Sequence, residues 1–322
     1  MSSRPYEGGS LGKNLGIKEL IRVKSYWRFA KVLACILVVS ELFHADIAQA
    51  QERTPGIQKD ILYAKADGHR LLLDLYMPAG VERPPLVVWV HGGAWRTGSK
   101  DSMPLGALVE DGYAVASVEY RLSPVAKFPA QVHDCKAAIR FLRAHQEKYG
   151  YDARRIGIAG SSAGGHLVAL IGITNDHAAL EGTVGDHLDE SSSVQAIIDY
   201  YGPSNFMTIL KQSTPHGLSV RVPALELLLG GQPEDNQELA ELASPVFHVD
   251  ADDPPLLMLH GDQDPQVPIN QSHELHALYK ESNLDVHFEV VHGAAHGGES
   301  FFDAVRTRLV LGFLNKFIRK QK

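Results

Sequence analysis

A nucleophilic centre that needs no metal can be built from serine, histidine and aspartate, and three glycine-rich stretches of this 322-residue chain each carry one of them. The first is Gly160-Ser161-Ser162-Ala163-Gly164, which follows the apolar run 155–159 and opens the apolar segment 166–170. A strand, a tight turn and a helix in succession expose the residue at the apex. The flanking glycines remove Cβ atoms that would meet the neighbouring strand or helix. Ser162 is the candidate nucleophile; the bland alternative is an ordinary strand-to-helix turn, which also uses Gly and Ser. Serine attacks poorly at neutral pH, so a histidine must take its proton and a carboxylate must orient that histidine.

Downstream, residues 255–260 read as a buried parallel strand, left by the loop Gly261-Asp262-Gln263-Asp264-Pro265-Gln266-Val267-Pro268. Asp264 is the preferred acid. Asp262 competes, but a carboxylate directly after a strand-ending glycine more often caps the turn's own amides. The alternating run 285–291 is the following strand, and the glycine-rich loop 292–298 leaves it. His296 in that loop is the candidate base, and His292, nearer the strand end, is assigned a structural hydrogen bond. Four-residue spacing would suit a metal only on a helix. Three glycines oppose a helix there and the metalloprotease glutamate is missing, so no metal is expected. Upstream, the apolar strand 86–90 runs into His91-Gly92-Gly93-Ala94-Trp95. Glycines let a backbone amide approach an oxyanion, so Gly92 and Gly93, with the amide of Ala163, form the expected oxyanion hole. Each such donor is worth about two to three orders of magnitude in rate.

The order of these motifs resembles the α/β-hydrolase superfamily, and within it the esterase and lipase branch that carries an HGG loop upstream of a GxSxG elbow. The likeness extends over nearly the whole chain after residue 57. It includes Glu119-Tyr120-Arg121-Leu122-Ser123-Pro124, Phe128-Pro129-Ala130 before a helix bearing Asp134, Gly165-His166-Leu167 and Ala243-Ser244-Pro245. With Ala94-Trp95 in place of a third glycine, the loop is more similar to those of bacterial acetylxylan and feruloyl esterases. Arylformamidases share a similar loop. The resemblance implies a mostly parallel central sheet flanked by helices and carboxylic-ester hydrolysis without metal or organic cofactor, carried by Ser162, Asp264 and His296. Trp95 either lines the substrate pocket or packs beneath the oxyanion loop. His91 reads as a loop brace, Arg121 with Asp134 as a scaffold ion pair or turn brace, and Tyr201-Gly202-Pro203 as a sheet-end turn bordering the site.

Positioning these residues requires alternating strands and helices. Residues 60–64 and 71–76 form an antiparallel pair around Asp67-Gly68. Core strands are expected at 86–90, 114–119, 155–159, 194–200, 255–260 and 286–291, and helices at 129–146, 163–174, 271–281 and 300–319. The acidic stretch 175–193 reads as a solvated loop, because its carboxylate spacing matches no EF-hand. The insertion 203–250, helical at 224–229 up to Gly230-Gly231, is expected to form a small cap over the nucleophile that sets substrate choice.

Composition is compatible with one α/β catalytic domain over 51–322, since 44% hydrophobic residues suffice for a buried sheet. A net charge of -7 with scattered basic residues excludes nucleic-acid binding. At the N-terminus, Arg22, Lys24, Arg28 and Lys31 precede the apolar run 32–39, and Ala48-Gln49-Ala50 offers small residues for cleavage. This secretory pattern predicts a leader over 1–50, a mature chain starting near Gln51, a periplasmic or secreted location, and no stable membrane anchor. Cys135 is then the only cysteine, and inside an amphipathic segment it reads as a buried small hydrophobe. The function expected is a serine esterase acting through an acyl-enzyme on short-chain acyl or aryl esters, such as acetylated or feruloylated carbohydrate. An arylformamidase-type amidase would share the triad. A non-catalytic binding module on the same scaffold would typically have lost one of the three residues.

Overall fold

A strand without a polar face must be covered on both sides, and the uncharged runs of this sequence become the middle of one large sheet. The computed structural model describes residues 56–175 and 177–319; the leader, its cleavage site and Cys35 lie outside the described residues. The strands are β1 Gly56–Ala66, β2 His69–Met77, β3 Pro85–Val90, β4 Ala114–Val118, β5 Asp152–Ser161, β6 Ala196–Tyr200, β7 Leu256–Gly261 and β8 Val286–Val291. They form one eight-stranded sheet in the order β1-β2-β4-β3-β5-β6-β7-β8. Only β2 runs against its neighbours; all other adjacent pairs are parallel. β1 and β2 meet through a two-residue turn in which Asp67 and Gly68 both take positive φ.

Parallel neighbours require crossovers, and the principal helices supply them. They are α1 Ala130–Ala144, α2 Ala163–Ile173, α3 Phe206–Gln212, α4 Pro215–Leu229, α5 Gln237–Leu242, α6 Asn270–Glu281 and α7 Ala304–Phe317. Strand alternation divides the interior in two. Leu86, Val88 and Val90 of β3 join the core shared with α1 and α2, while Val87 and Trp89 join the core under α7. Every residue of α2 is buried, as expected of a helix enclosed between the sheet and its neighbours. No helix among the described residues is long and apolar enough to cross a membrane.

The differences from the sequence expectation have local causes. Where a helix is expected only over 224–229, α4 begins at Pro215 and carries Pro223 in its interior. Its start is set by Thr214, whose hydroxyl accepts from the amide of Gly217 at 3.0 Å. The last helix begins at Ala304 because the Asp303 carboxylate accepts from the amides of Val305 and Arg306. The acidic stretch 175–193 is strapped to α1 rather than left in solvent. Buried Lys136 and Arg140 of α1 both pair with Glu181, which also accepts from Ser192. Arg143 donates to the carbonyls of Ser191 and Ser193 at 2.9 and 2.7 Å.

Arg121 and Asp134 form the expected ion pair. The guanidinium donates through Nε and Nη2 at 2.9 and 2.7 Å, and the Arg121 amide adds a third bond at 2.9 Å. The pair pins the chain leaving β4 onto α1. Nearby, Ser123 donates its amide to Trp95 and Tyr120 its hydroxyl to the carbonyl of His91, so the pinned segment also holds the loop after β3. Cys135 is fully buried and free.

Two consequences can be measured. Asp134→Ala would leave a buried guanidinium without its main partner and should lower stability by about 3 to 5 kcal/mol, read as a lower urea midpoint at unchanged slope. Asp199 of β6 is buried, accepts the amide of Gly202 at 2.8 Å, and is pushed up by burial to about 6 from the ordinary 3.8. The native carboxyl thus holds its proton more tightly than the unfolded chain does. Ionisation costs stability as pH rises from about 4 to about 6, and the loss persists above. Asp199→Asn should match the parent in stability near pH 4 and exceed it by about 1 to 3 kcal/mol at pH 8 in paired urea titrations.

Candidate active site

At the carboxyl end of β5 the chain reverses into α2 through Ser162, whose φ of 54° and ψ of -116° lie outside the regions a side chain prefers. The strain is held by the surroundings. The Ser162 amide donates to the carbonyl of Tyr200 at 2.8 Å, and its carbonyl accepts from His166 at 3.0 Å. The turn is tight enough that a Cβ on Gly164 would lie 2.1 Å from the carbonyl oxygen of Val90. Ser162 Oγ is thereby brought 2.8 Å from Nε2 of His296, and His296 Nδ1 lies 2.6 Å from Oδ2 of Asp264. The three residues singled out in the sequence meet in one hydrogen-bonded line. The tautomer follows from the partners: Nδ1–H donates to the carboxylate and Nε2 is free to accept from the serine hydroxyl.

The Asp264 side chain is fully buried and all its acceptor positions are used. Oδ1 accepts from the amides of Gln266 and Val267 at 2.8 and 2.9 Å. Oδ2 faces both His296 and His260, the latter at 3.2 Å. Burial pushes the carboxyl pKa up, but the hydrogen bonds from His260 and His296 outweigh it and hold the group well below the usual carboxylate range. His260 was not singled out in the sequence, because nothing distinguishes a strand-end histidine locally. Its Nδ1 accepts from Ser272 Oγ at 2.7 Å, which leaves Nε2–H to point at Asp264 and the carbonyl of Val267.

Asp262 and His292 stand apart from this line. Asp262 caps the other loop rather than its own turn: Oδ1 accepts from the amide of Gly293 at 2.7 Å, and Oδ2 is 2.9 Å from His292 Nδ1. The pair ties the loop carrying Asp264 to the loop carrying His296, with His292 largely exposed.

Above the serine lies the loop after β3. Gly93, Ala94 and Trp95 all take positive φ, and a Cβ on Gly93 would lie 2.1 Å from the carbonyl oxygen of Thr97. A Cβ on Gly92 would fall 3.3 Å from Cβ of Ser162, so the glycine pair overhangs the nucleophile. Ala163 opens α2, where a backbone N–H has no carbonyl partner within the helix. His91 braces the loop by stacking on Tyr120 at 4.5 Å and donating from Nδ1 to the carbonyl of Gly92 at 2.7 Å. Burial lowers its pKa, which favours the neutral ring.

Trp95 requires a correction: the indole does not line the substrate pocket. It is 0% exposed, donates from Nε1 to His166 Nδ1 at 3.1 Å, and stands edge-on to His166 and Phe206. The positive-φ turn directs the ring inward, where its apolar surface is buried and its N–H is satisfied. Burial pushes His166 down to about 4, keeping it a neutral acceptor. Tyr201, in the turn after β6, does border the site and packs edge-on to His296 at 4.9 Å.

These groups open onto a cavity of about 560 Å³ lined by Gly92, Gly93, Ser162, Tyr201, Arg221 and His296 among others. Arg221, on α4, had no signal in the sequence, because it precedes the segment 224–229 expected to be helical.

The fold has counterparts among known proteins. The BD-FAE family model matches residues 73–279. Esterase LipC of Mycobacterium tuberculosis is 31% identical over 84% of this chain and 71% of its own length. Esterase LipQ of the same organism is 31% identical over 80% of this chain, which spans 61% of that relative. A solved carbohydrate esterase from gut microbiota, in truncated form, superposes with a TM-score of 0.74 at 32% identity, covering 82% of this chain and 97% of its own. Sheet order, family match and esterase relatives agree, and the chain belongs to the BD-FAE family of α/β-hydrolase serine esterases.

Proposed function

We propose that this carboxylesterase cleaves short-chain acyl or aryl esters of carbohydrate, with Ser162 as nucleophile, His296 as general base and acid, and Asp264 as the orienting carboxylate. The observation that carries the assignment is the unbroken line from Ser162 Oγ to His296 to Asp264, at 2.8 and 2.6 Å. Ser162 Oγ attacks the ester carbonyl as its proton passes to His296 Nε2, and the buried carboxylate stabilises the imidazolium that forms. The tetrahedral oxyanion is received by the amides of Gly93 and Ala163, with Gly92 allowing the close approach. Collapse expels the alcohol, which takes the proton from His296. Water, deprotonated by the same nitrogen, then releases the acid and restores the serine.

Carbohydrate as the alcohol part is supported by the similarity to the gut carbohydrate esterase and by the secretory pattern at the N-terminus, which would bring the enzyme to extracellular polymers. The insertion 203–250 acts as the cap in this reading, since Val220 and Arg221 of α4 line the cavity.

The test is hydrolysis of p-nitrophenyl acyl esters, methyl ferulate, acetylated xylan and N-formylkynurenine. Ser162→Ala should lower kcat by about 10⁴-fold or more, and Asp264→Asn by about 10⁴-fold. Asp262→Asn, acting only through the loop tie, should cost less than about tenfold; the reverse ranking would move the acid role to Asp262. Best turnover on N-formylkynurenine would favour an amidase instead. Recovery of the exported chain beginning near Gln51, by mass spectrometry of its N-terminus, would support the leader; an intact N-terminus would refute it.

A further inference from the structure

The cavity over Ser162 is lined by two arginines, Arg96 and Arg221, and by no aspartate or glutamate. Arg221 is the more unusual. It is 1% exposed, and neither its Nε nor its Nη1 has a hydrogen-bond partner. Its guanidinium carbon lies 5.7 Å from the centroid of the Trp95 ring, a cation–π contact that uses none of its N–H donors. Burial lowers its pKa to about 10, and Arg96 pushes the same way, so the group remains charged at neutral pH.

A buried guanidinium without an anion is costly, and natural interiors pair such charges. The protein's own candidate is Asp264, whose charge acts on Arg221. That carboxylate is already saturated by two amides and two histidines, so it cannot accept from Arg221 as well. Arg221 lines the space in which the substrate must sit, and two of its buried donors are still without a partner there.

We propose that Arg221 receives a carboxylate of the substrate, so that the enzyme prefers esters carrying a free carboxylate on a short arm near the scissile bond. The inference rests on the carboxylesterase reading with Ser162 as nucleophile. A planar fork of N–H groups matches a carboxylate in two parallel hydrogen bonds, and a dry site strengthens them. The carboxylate can belong to the acyl part, as in a hemiester of a short dicarboxylic acid, or to the sugar, as in an acylated uronic acid. Arg96 adds attraction at the partly exposed side of the cavity.

The experiment compares kcat/KM, followed by acid release in the whole protein, within two matched pairs. One pair is monoethyl succinate against the ethyl ester of succinamic acid; the other is acetylated methyl glucuronide against acetylated methyl glucoside. Each ratio is taken on one preparation, so the folded fraction cancels. The anionic member of at least one pair should be preferred by about ten- to a hundredfold, and the pair that responds identifies where the carboxylate sits. Arg221→Met should erase that preference, and Arg221→Lys should restore part of it. Equal rates within both pairs, with neutral esters still cleaved, would overturn the inference and leave the carboxylesterase reading standing. A preference that survives Arg221→Met would also overturn it. So would an Arg221→Met variant that gains longer neutral acyl chains at an unchanged ratio, because Arg221 would then only fill space. Failure to cleave any ester would remove the carboxylesterase reading and this inference with it.

Discussion

Everything at this site depends on keeping one carboxylate ionised where water cannot reach it. Burial alone would drive Asp264 to take up a proton, and a protonated acid could not hold His296 in the tautomer that accepts from Ser162. The structure answers with four polar contacts from three places: two amides of its own loop, His260 at the end of β7, whose Nε2 is shared with the carbonyl of Val267, and His296 from the loop after β8. Those places converge because β7 and β8 are parallel and paired through Gly261 and Val291, so both connecting loops leave at one edge of the sheet. The tie from Asp262 to Gly293 and His292 then fixes one loop against the other.

A second constraint is the strained backbone at Ser162. Positive φ at a non-glycine residue persists only where the surroundings over-determine it. Here α2 is buried along its whole length and cannot shift to relieve the turn. The oxyanion loop is held to the same helix by a short relay. Trp95 donates to His166, which donates onward to the carbonyl of Ala243 at 2.6 Å. The relay works because His166 stays neutral, so a single ring can accept at one nitrogen and donate at the other. Nucleophile, oxyanion loop and the chain after α5 thus share one rigid support. The sheet edge brings the three side chains together, and α4, between β6 and β7, adds Val220 and Arg221 to the cavity wall.

Much of this was legible in the chain because the signals are local. Gly160 to Gly164 and the loop with Asp264 each follow an apolar run that can only be a covered strand, and the loop with His296 follows an alternating strand run. Parallel strands deliver their carboxyl ends to one edge whatever the rest of the molecule does. The antiparallel entry and the crossover helices were readable for the same reason, whereas the Arg121–Asp134 pair was expected, as an ion pair or a turn brace, only alongside the family resemblance. Helix limits were less so: Pro223 is a breaker by its chemistry, and only the packing of α4 overrides it.

What the sequence by itself determined, then, is the fold class and the three side chains that meet at the edge of the sheet, since strand periodicity and turn chemistry are properties of neighbouring residues. Tertiary structure alone decided which way Trp95 faces, that His260 shares Asp264, that Glu181 pairs with both Lys136 and Arg140, and that Arg221 lines the cavity with two donors unpaired. All but the His260–Asp264 contact join residues distant in the chain, and that one depends on the turn the loop takes after β7. Burial and partner supply, which set their orientation and charge, exist only after the layers have packed.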